Sequence, residues 1–435
     1  MSSRTNTLLL AAAVALSLLL TVPSFADSQA RVVRLSDVQG EVQVDRNAGQ
    51  GFEKAFLNLP IVQGAQLQTG ADGRAEVEFE DGSTLHLTPG STLEFSQLSL
   101  RDSGTKLSTI HLQKGTAYVN YSGAKDDEFA LTFGLQKLPL NRAAHIRINM
   151  ADNTATVAVF KGDVQVEDPS GTVAVSERNT ATFDLKQNQS TVAKGITPEP
   201  DDAWDKQQEQ YHQEYASKSY SNYSPYPYGT SDLNYYGSFF NAPGYGMMWQ
   251  PYFAGAGWDP FMNGAWAYSP GFGYSWVSGY PWGWTPYNYG SWVFLPGRGW
   301  AWQPGGVWSP RNAPRVIGAP SHFVTPQAPS GSGQGTIVVS RGPMPVPSGG
   351  SVNRLGIFNN SAGLGIPRGA VRNMGDLSHT VQKTGFATVR VHTESAGTSY
   401  WHGGSSSAQM GAAHSMTAPR ISSSRSGVGH SSAHH

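Results

Sequence analysis

Residues 75–87 read AEVEFEDGSTLHL, and this stretch decides the fold of the first half of the chain. Apolar side chains occupy every second position before the Asp-Gly pair and again after it. A period of two is typical of a β-strand that buries one face, and Asp-Gly is a turn signal. The sequence therefore predicts a β-hairpin at this place.

The register of this hairpin follows from matching its faces. A two-residue loop would place Glu78 opposite Leu85 and would mix the polar and apolar faces. A loop of residues 80–82 instead pairs Val77 with Leu85 and puts Gly82 in a left-handed conformation, which glycine adopts without strain. The three-residue loop is the predicted one.

The polar side chains of this stretch are predicted to face solvent. A row of like charges is common on the wet face of a sheet, whereas a cation site also needs carbonyl ligands from loops. The row consists of Glu76, Glu78 and Glu80. Three histidines lie on separate predicted strands without ligand spacing, namely His86, His111 and His145. No metal or cofactor site is expected.

The same alternation, broken by short turns, extends over residues 31–197 and favours an all-β domain, a β-sandwich or β-roll. Residues 27–232 hold 18 Lys and Arg against 28 Asp and Glu, so this part of the chain is acidic by ten charges. The chain has no cysteine, which excludes disulfides, thiolate nucleophiles and cysteine-ligated metals.

Four segments of this domain resemble the FecR domain. Residues 64–70 (GAQLQTG), 75–87 and 91–93 are similar to the core of that family, and residues 159–166 (VFKGDVQV) are similar to its recurring segment. The resemblance implies an all-β extracytoplasmic module. In the best-known members such a module senses outer-membrane transport and passes a signal to a sigma factor.

The N-terminus indicates the compartment. Arg4 precedes an apolar run at residues 8–20, and small residues follow at Ser24 and Ala26. This pattern predicts that residues 1–26 are a cleaved signal peptide and that the mature protein is periplasmic or secreted. A run this short is not expected to span a bilayer.

Residues 198–236 are predicted to be a helical spacer and a linker. Asp201 and Asp202 supply carboxylates at the start of a polar helix that extends to about Ala216. The following residues 219–236, rich in Tyr, Ser and Pro, are predicted to be extended.

Residues 237–308 contain an internal repeat. Its copies are GSFFNAPGYGMMW at 237–249, GAWAYSPGFGYSW at 264–276 and GSWVFLPGRGWAW at 290–302. Pro-Gly in each copy fits a type II turn between two strands. The predicted hairpins pair Asn241 with Met247, Trp266 with Trp276, Tyr268 with Tyr274, Trp292 with Trp302 and Phe294 with Trp300. Residues 276–294 are similar to an uncharacterised Trp/Tyr/Gly-rich repeat that follows FecR domains in secreted bacterial proteins.

Two interpretations of the repeat aromatics remain open: a core shared by the hairpins, or an exposed platform for sugars and other flat ligands. The core is favoured because burial of nearly every ring only just offsets the conformational entropy lost when these residues are ordered. Trp282 and Trp308 are the two rings predicted to stay exposed at loop tips and to contact a partner.

Residues 309–435 are predicted to be a disordered, basic, Gly/Ser/Pro-rich tail, with short strands expected at 336–340 and 387–391. Residues 310–435 hold 10 Lys and Arg against 2 Asp and Glu. This positive charge could bind an anionic polymer or contact the chain's own acidic domain. Nucleic acid is not an expected partner.

The sequence favours a non-enzymatic extracytoplasmic binding or scaffold protein of the bacterial envelope, with an envelope protein or surface polysaccharide as the partner. No catalytic, cofactor-binding or metal-binding residue is predicted. One alternative is an envelope sensor that acts on a membrane or sigma-factor regulator. Another is a glycan-active enzyme, but no serine-hydrolase, zinc-protease or phosphate-loop motif supports it.

Overall fold

The structure is a computed structural model, and it describes residues 31–216, 226–252, 258–271, 273–305, 315–329, 336–337 and 368. All of these lie in one compact unit, Met1–Ser395, and the second unit, Ala396–His435, is outside the described residues. The predicted signal peptide also lies outside them. Within the described ranges, no helix is long and apolar enough to cross a membrane.

The first 17 strands form the β-domain, residues 31–197. They are β1 Val33–Gln39, β2 Val42–Asp45, β3 Glu53–Lys54, β4 Pro60–Ile61, β5 Gln66–Thr69, β6 Arg74–Glu78, β7 Thr84–Leu87, β8 Thr92–Leu100, β9 Lys106–Tyr121, β10 Glu128–Phe133, β11 Gln136–Leu140, β12 Ala144–Met150, β13 Thr154–Lys161, β14 Val164–Asp168, β15 Gly171–Val175, β16 Asn179–Asp184 and β17 Gln189–Lys194.

These strands build two sheets that share the long strand β9. The first sheet has the order β4-β1-β6-β7-β9-β12-β13-β16-β17. The second has the order β3-β2-β5-β8-β9-β10-β11-β14-β15. Alternate side chains of both sheets pack into one hydrophobic core, so the all-β prediction is confirmed.

The predicted β6–β7 register is confirmed. Val77 lies opposite Leu85, and the amide of Phe79 donates to the carbonyl of Ser83 at 2.9 Å. Gly82 closes the loop with φ of +82°. The apolar face therefore points into the core, as the alternation requires.

Two helices follow the β-domain. α1 spans Asp202–Tyr215, where the sequence predicts a helix, and α2 spans Thr230–Tyr236. The prediction of an extended segment is wrong for α2, because Leu233, Tyr235 and Tyr236 are buried and tertiary packing outweighs their local preference. Residues 217–225 lie outside the described residues.

The aromatic region, residues 226–305, carries the three predicted hairpins. Its elements, with two short strands that follow, are β18 Gly237–Ala242, β19 Gly246–Pro251, β20 Gly264–Ser269, β21 Gly273–Ser278, α3 Thr285–Asn288, β22 Ser291–Leu295, β23 Gly299–Gln303, β24 Arg315–Ile317 and β25 Thr336–Ile337. All five predicted cross-strand pairs are present. The first and third hairpins join through β19 and β23, whereas the second pairs with β25.

Most rings of the aromatic region are buried in one cluster that also includes Tyr211 of α1. The interpretation of the repeat as a shared core is therefore correct for the described residues. In the predicted tail, β24 pairs with β22, and β25 covers the first two residues of the strand expected at 336–340. The strand expected at 387–391 lies outside the described residues.

Each repeat begins with a glycine because the last tryptophan of the hairpin lies over it. A Cβ atom on Gly237 would be 2.4 Å from Trp249, and one on Gly264 would be 2.5 Å from Trp276. Such distances are shorter than van der Waals contact, so a side chain at these positions must displace the ring.

We expect Gly237→Ala to lower the free energy of unfolding by about 1–3 kcal/mol, the range measured for overpacked cores. The neighbouring Ser238 is exposed, so Ser238→Ala is the control and should change stability by less than about 0.5 kcal/mol. Urea unfolding followed by tryptophan fluorescence measures both variants. Equal stability of the two would contradict the assigned contact with Trp249.

Candidate functional site

The glutamate row of β6 and the turn that follows is buried. Glu76, Glu78 and Glu80 are 0%, 3% and 6% exposed, so the prediction of a solvated strand face is wrong. The reason is that α1, α2 and the aromatic region cover this outer face of the first sheet. Buried carboxylates are stable only when cations or hydrogen-bond donors compensate them, and the face is rich in both.

Helix α1 docks on this face through Asp205. One oxygen of Asp205 lies 2.7 Å from Nδ1 of His86 on β7, and the other lies 2.8 Å from Nε2 of His145 on β12. The ring of Trp204 packs 5.4 Å from the ring of His86. The structure therefore brings together two of the histidines that the sequence left ungrouped. The third, His111, lies apart on the second sheet next to Thr132.

The start of α1 is held by Arg147 of β12. Its Nη1 donates to Asp202 at 2.5 Å, and its Nη2 donates to the carbonyl of Thr197 at 2.9 Å. The hydroxyl of Tyr118 also donates to Asp202, at 2.7 Å. A carboxylate at a helix N-terminus interacts favourably with the helix dipole, so these contacts fix both the position and the direction of α1.

The last turn of α1 brings a third histidine to this face. His212 Nε2 lies 3.0 Å from Glu76 Oε1. His86 Nε2 lies 3.2 Å from Glu76 Oε2, an ion-pair contact without hydrogen-bond geometry. Glu76 therefore lies between two imidazoles, and Asp205 extends the same chain of titratable groups to His145.

Arg34 of β1 joins the β-domain to the aromatic region, and its side chain has no exposed surface. Nη1 donates to Glu78 at 3.0 Å, and Nη2 donates to Asp232 of α2 at 2.5 Å and to the carbonyl of Pro281 at 2.9 Å. Nε donates to Asn58 at 2.9 Å. Four hydrogen bonds from one guanidinium thus connect a strand, a helix and loops that are far apart in sequence.

Asn58 extends this connection. Its side-chain amide donates to the carbonyls of Ser278 and Tyr280, at 3.0 and 2.8 Å. The hydroxyl of Tyr280 in turn accepts a hydrogen bond from Trp258 at 3.0 Å. Polar groups of the β-domain therefore satisfy backbone groups of the aromatic region inside a closed interface.

Arg368, from the predicted basic tail, occupies a pocket on the same face and is 5% exposed. Nη1 donates to Glu76 at 2.6 Å, and Nη2 lies 3.1 Å from Asp232 and 3.0 Å from the carbonyl of Ser36. Its Cζ lies 4.8 Å from the centre of the Tyr211 ring. We call the site made by Glu76, Asp232, Ser36 and Tyr211 the Arg368 pocket. A contact of the basic tail with the acidic domain, one of the alternatives from the sequence, is thus present at Arg368.

The balance of charge is visible in the pKa values. Burial raises the pKa of Glu76, but Arg368 and His212 outweigh burial and hold that pKa well below its ordinary value. The pKa of Asp232 is lowered because Arg368 and Arg34 outweigh the effect of burial. Burial opposes protonation of His86, but Asp205 and Glu76 raise its pKa to about 9. His86 is therefore charged at neutral pH.

The pKa values of two other carboxyls are raised, since burial exceeds the attraction of their cations. These are Asp37, which lies near Arg368, and Glu78, which pairs with Arg34. The face holds more acid than its cations fully compensate. Loss of either arginine would therefore leave buried carboxylates without a counter-charge.

The charged groups of this face are paired with one another. Among the described residues, no group of three or more His, Asp or Glu side chains has the geometry of a metal site. The carboxylates and imidazoles of the face bond to each other and to arginines inside a closed interface.

The two predicted partner contacts have different outcomes. Trp282 is 1% exposed and stacks on Tyr280 at 5.1 Å between ring centres, so its placement at an exposed loop tip is wrong. Trp308 lies outside the described residues. Sequence reasoning missed partners of the glutamate row and of His86, namely Arg34, Asp205, His212 and Arg368, and it missed Asp232, which pairs with both arginines. The only signal for Arg368 was the opposite charge of the tail and the β-domain.

Comparison with protein families gives two matches along the chain. Residues 65–165 match the family described as FecR protein. Residues 230–323 match a family of unknown function, DUF6600. The chain contains a FecR domain followed by a DUF6600 region. The interface described above therefore joins the β-domain, which contains the FecR match, to the DUF6600 region, and Glu76, Glu78 and His86 lie within that match.

Two solved structures are similar to part of the chain, both crystal structures of a candidate anti-sigma factor from Parabacteroides distasonis. The first has a TM-score of 0.26 at 15% identity and covers 30% of this chain and 59% of its own. The second has a TM-score of 0.27 at 12% identity and covers 35% of this chain and 67% of its own. Likenesses of this size assign neither fold nor function. Among curated proteins, none matches the chain.

We expect Arg34→Met to lower the free energy of unfolding by about 3–5 kcal/mol, because Glu78 and Asp232 lose a buried counter-charge. Arg178 is 85% exposed in its pair with Glu177, so Arg178→Met should cost less than about 1 kcal/mol. Urea unfolding measures both variants. A cost for Arg34→Met as small as that of the control would show that the buried guanidinium does not join the two regions.

His86 makes stability depend on pH. Its folded pKa of about 9 lies above the ordinary value of 6.5, so its stabilising contribution is complete below pH 6.5 and is lost as the pH rises through 9. We expect the free energy of unfolding to fall over this interval by at most on the order of 3 kcal/mol.

His86→Gln should flatten this pH profile, whereas His111→Gln should leave it unchanged because His111 bonds only to Thr132 among the described side chains. Chemical unfolding at pH 6, 7, 8 and 9 measures all three proteins. If the free energy of unfolding of His86→Gln still falls at alkaline pH, a group other than His86 causes the pH dependence.

Proposed function

We propose that this protein is a non-enzymatic binding protein of the bacterial envelope. In this proposal the FecR domain contacts the partner, an envelope protein or a surface polysaccharide, and the DUF6600 region holds the FecR domain in one orientation. The observation that carries the proposal is Arg34, whose buried guanidinium bonds to Glu78 of the FecR domain, to Asp232 of α2 and to the carbonyl of Pro281.

Three features support this assignment. The charged side chains of the interface pair with one another, which suits attachment better than turnover of a substrate. The rings of the DUF6600 region pack inward, so this region suits a frame better than an exposed stacking platform. The N-terminal pattern of Arg4 and the apolar run 8–20 supports export from the cytoplasm.

A second candidate is an envelope sensor that acts on a membrane or sigma-factor regulator. It is favoured by His86, which lies in the interface between the carboxylates of Glu76 and Asp205. A histidine in such a place can be protonated or neutral, and a ligand or a change of pH could favour one of these two states of the interface. A sensor predicts that Arg34→Met changes the transcription controlled by the regulator, whereas a passive binding protein predicts no change.

Site-specific photo-crosslinking in cells tests the proposed function on the full chain. A photoreactive phenylalanine analogue replaces Leu135 or Leu100 of the FecR domain, which are 75% and 38% exposed. Matched positions in the DUF6600 region are Met247 and Tyr245, which are 49% and 39% exposed. We expect adducts with an envelope component from the FecR positions and not from the DUF6600 positions.

Cell fractionation accompanies this experiment. The protein should occur in the periplasm or the medium, and N-terminal sequencing should begin near Asp27. Adducts that form only from Met247 or Tyr245 would move recognition to the DUF6600 region. A protein that stays in the cytoplasm with residues 1–26 attached would exclude an envelope function.

A further inference from the structure

The Arg368 pocket is acidic before Arg368 enters it. Its walls carry Glu76 and Asp232, and Asp37 lies close enough for its pKa to respond to both of them and to Arg368. Arg34 compensates Asp232 from one side, but the other described basic partners of Glu76 are the imidazoles of His86 and His212. The pocket therefore requires a further cation, and the chain provides it from a position 292 residues away from Glu76.

The geometry of the pocket selects a guanidinium over an ammonium. The two terminal nitrogens of Arg368 bond in different directions, one to Glu76 and the other to Asp232 and the carbonyl of Ser36. The flat group also lies over the Tyr211 ring. A planar fork with five donors meets all four partners together, whereas a lysine ammonium acts as a single point charge.

Arg368 comes from outside both family matches, which contribute Glu76 and Asp232 to the pocket. Arg368 lies beyond the FecR match, which ends at residue 165, and beyond the DUF6600 match, which ends at residue 323. The segment that carries it is rich in the same ligand, since residues 310–435 contain nine arginines and one lysine. Covalent attachment raises the effective concentration of such a ligand without new contacts.

We propose that the Arg368 pocket is a binding site for the arginine side chain of a peptide segment, that Arg368 is its resident ligand, and that an arginine-bearing peptide from a partner can replace it. The chain then carries its own competitor. A partner segment gains access only when it outcompetes Arg368 for Glu76 and Asp232. This inference goes beyond the proposed function because it names a ligand class and an internal competitor for one site.

A fluorescent peptide of residues 362–374 tests the proposal by anisotropy. The full-length Arg368→Gln variant offers an empty pocket, so it should bind this peptide at least tenfold more tightly than the wild type, whose pocket is occupied. Arg372→Gln is the matched chain variant and should bind as weakly as the wild type. A peptide that carries Arg368→Lys should lose at least tenfold in affinity, and one that carries Arg372→Lys should not.

Equal affinity of the Arg368→Gln protein and the wild type, absence of binding, or equal affinity of the Arg368→Lys peptide and the unsubstituted peptide would each overturn the proposal. Circular dichroism and the melting temperature establish first that Arg368→Gln is folded. These outcomes leave the cross-linking result from Leu135 untouched, so a failure here is distinguishable from a failure of the proposed function.

Chemical modification of the wild type tests the resident ligand without any variant. Phenylglyoxal reacts with accessible guanidinium groups, and mass spectrometry locates the adducts. Arg178 is 85% exposed and serves as the reference, whereas the side chain of Arg368 is 3% exposed. Arg368 should react at least tenfold more slowly than Arg178. Equal rates would show that Arg368 does not occupy the pocket.

Discussion

Carboxylates buried on the outer face of a sheet need cations to compensate their charge. This requirement determines how the helices and the DUF6600 region pack on the FecR domain. Strand β6 places Glu76 and Glu78 where α1, α2 and the DUF6600 region cover them. Since an uncompensated buried charge costs several kcal/mol, only an arrangement that supplies Arg34, Arg368 and the histidines of the interface can close over the row. The position of α1, the contact of α2 with the sheet and the burial of Arg368 all follow from that constraint.

The DUF6600 region depends on the same interface in a second way. Its hairpins bury their rings against each other and against Tyr211 of α1. Asp205 and Asp202 of α1 bind to His86 and Arg147 of the FecR domain. Because these contacts fix α1, they also position the aromatic core. Apolar packing supplies most of the stabilisation of such a core, while the directed bonds of Arg34 and Asn58 select one orientation of the two regions.

Local features were predictable from the sequence, and long-range ones were not. The registers of β6–β7 and of the three hairpins follow from alternation and turn chemistry, which act within a dozen residues. Alternation cannot show whether a polar face meets water or an oppositely charged element, so the burial of Glu76 was missed. Pro-Trp-Gly resembles a loop tip, yet stacking on Tyr280 draws Trp282 inward. Charge segregation pointed to a contact of the tail with the acidic domain but could not single out Arg368.

Cooperative unfolding tests the buried ionic interface most directly. No tryptophan precedes Trp204, so tryptophan fluorescence reports on α1 and the regions after it. Pulsed hydrogen exchange with mass spectrometry reports separately on β12 and β13 of the FecR domain. The account predicts that fluorescence and the protection of β12 and β13 change at the same urea concentration. Complete loss of the fluorescence signal while β12 and β13 remain protected would show two independent domains and would contradict it.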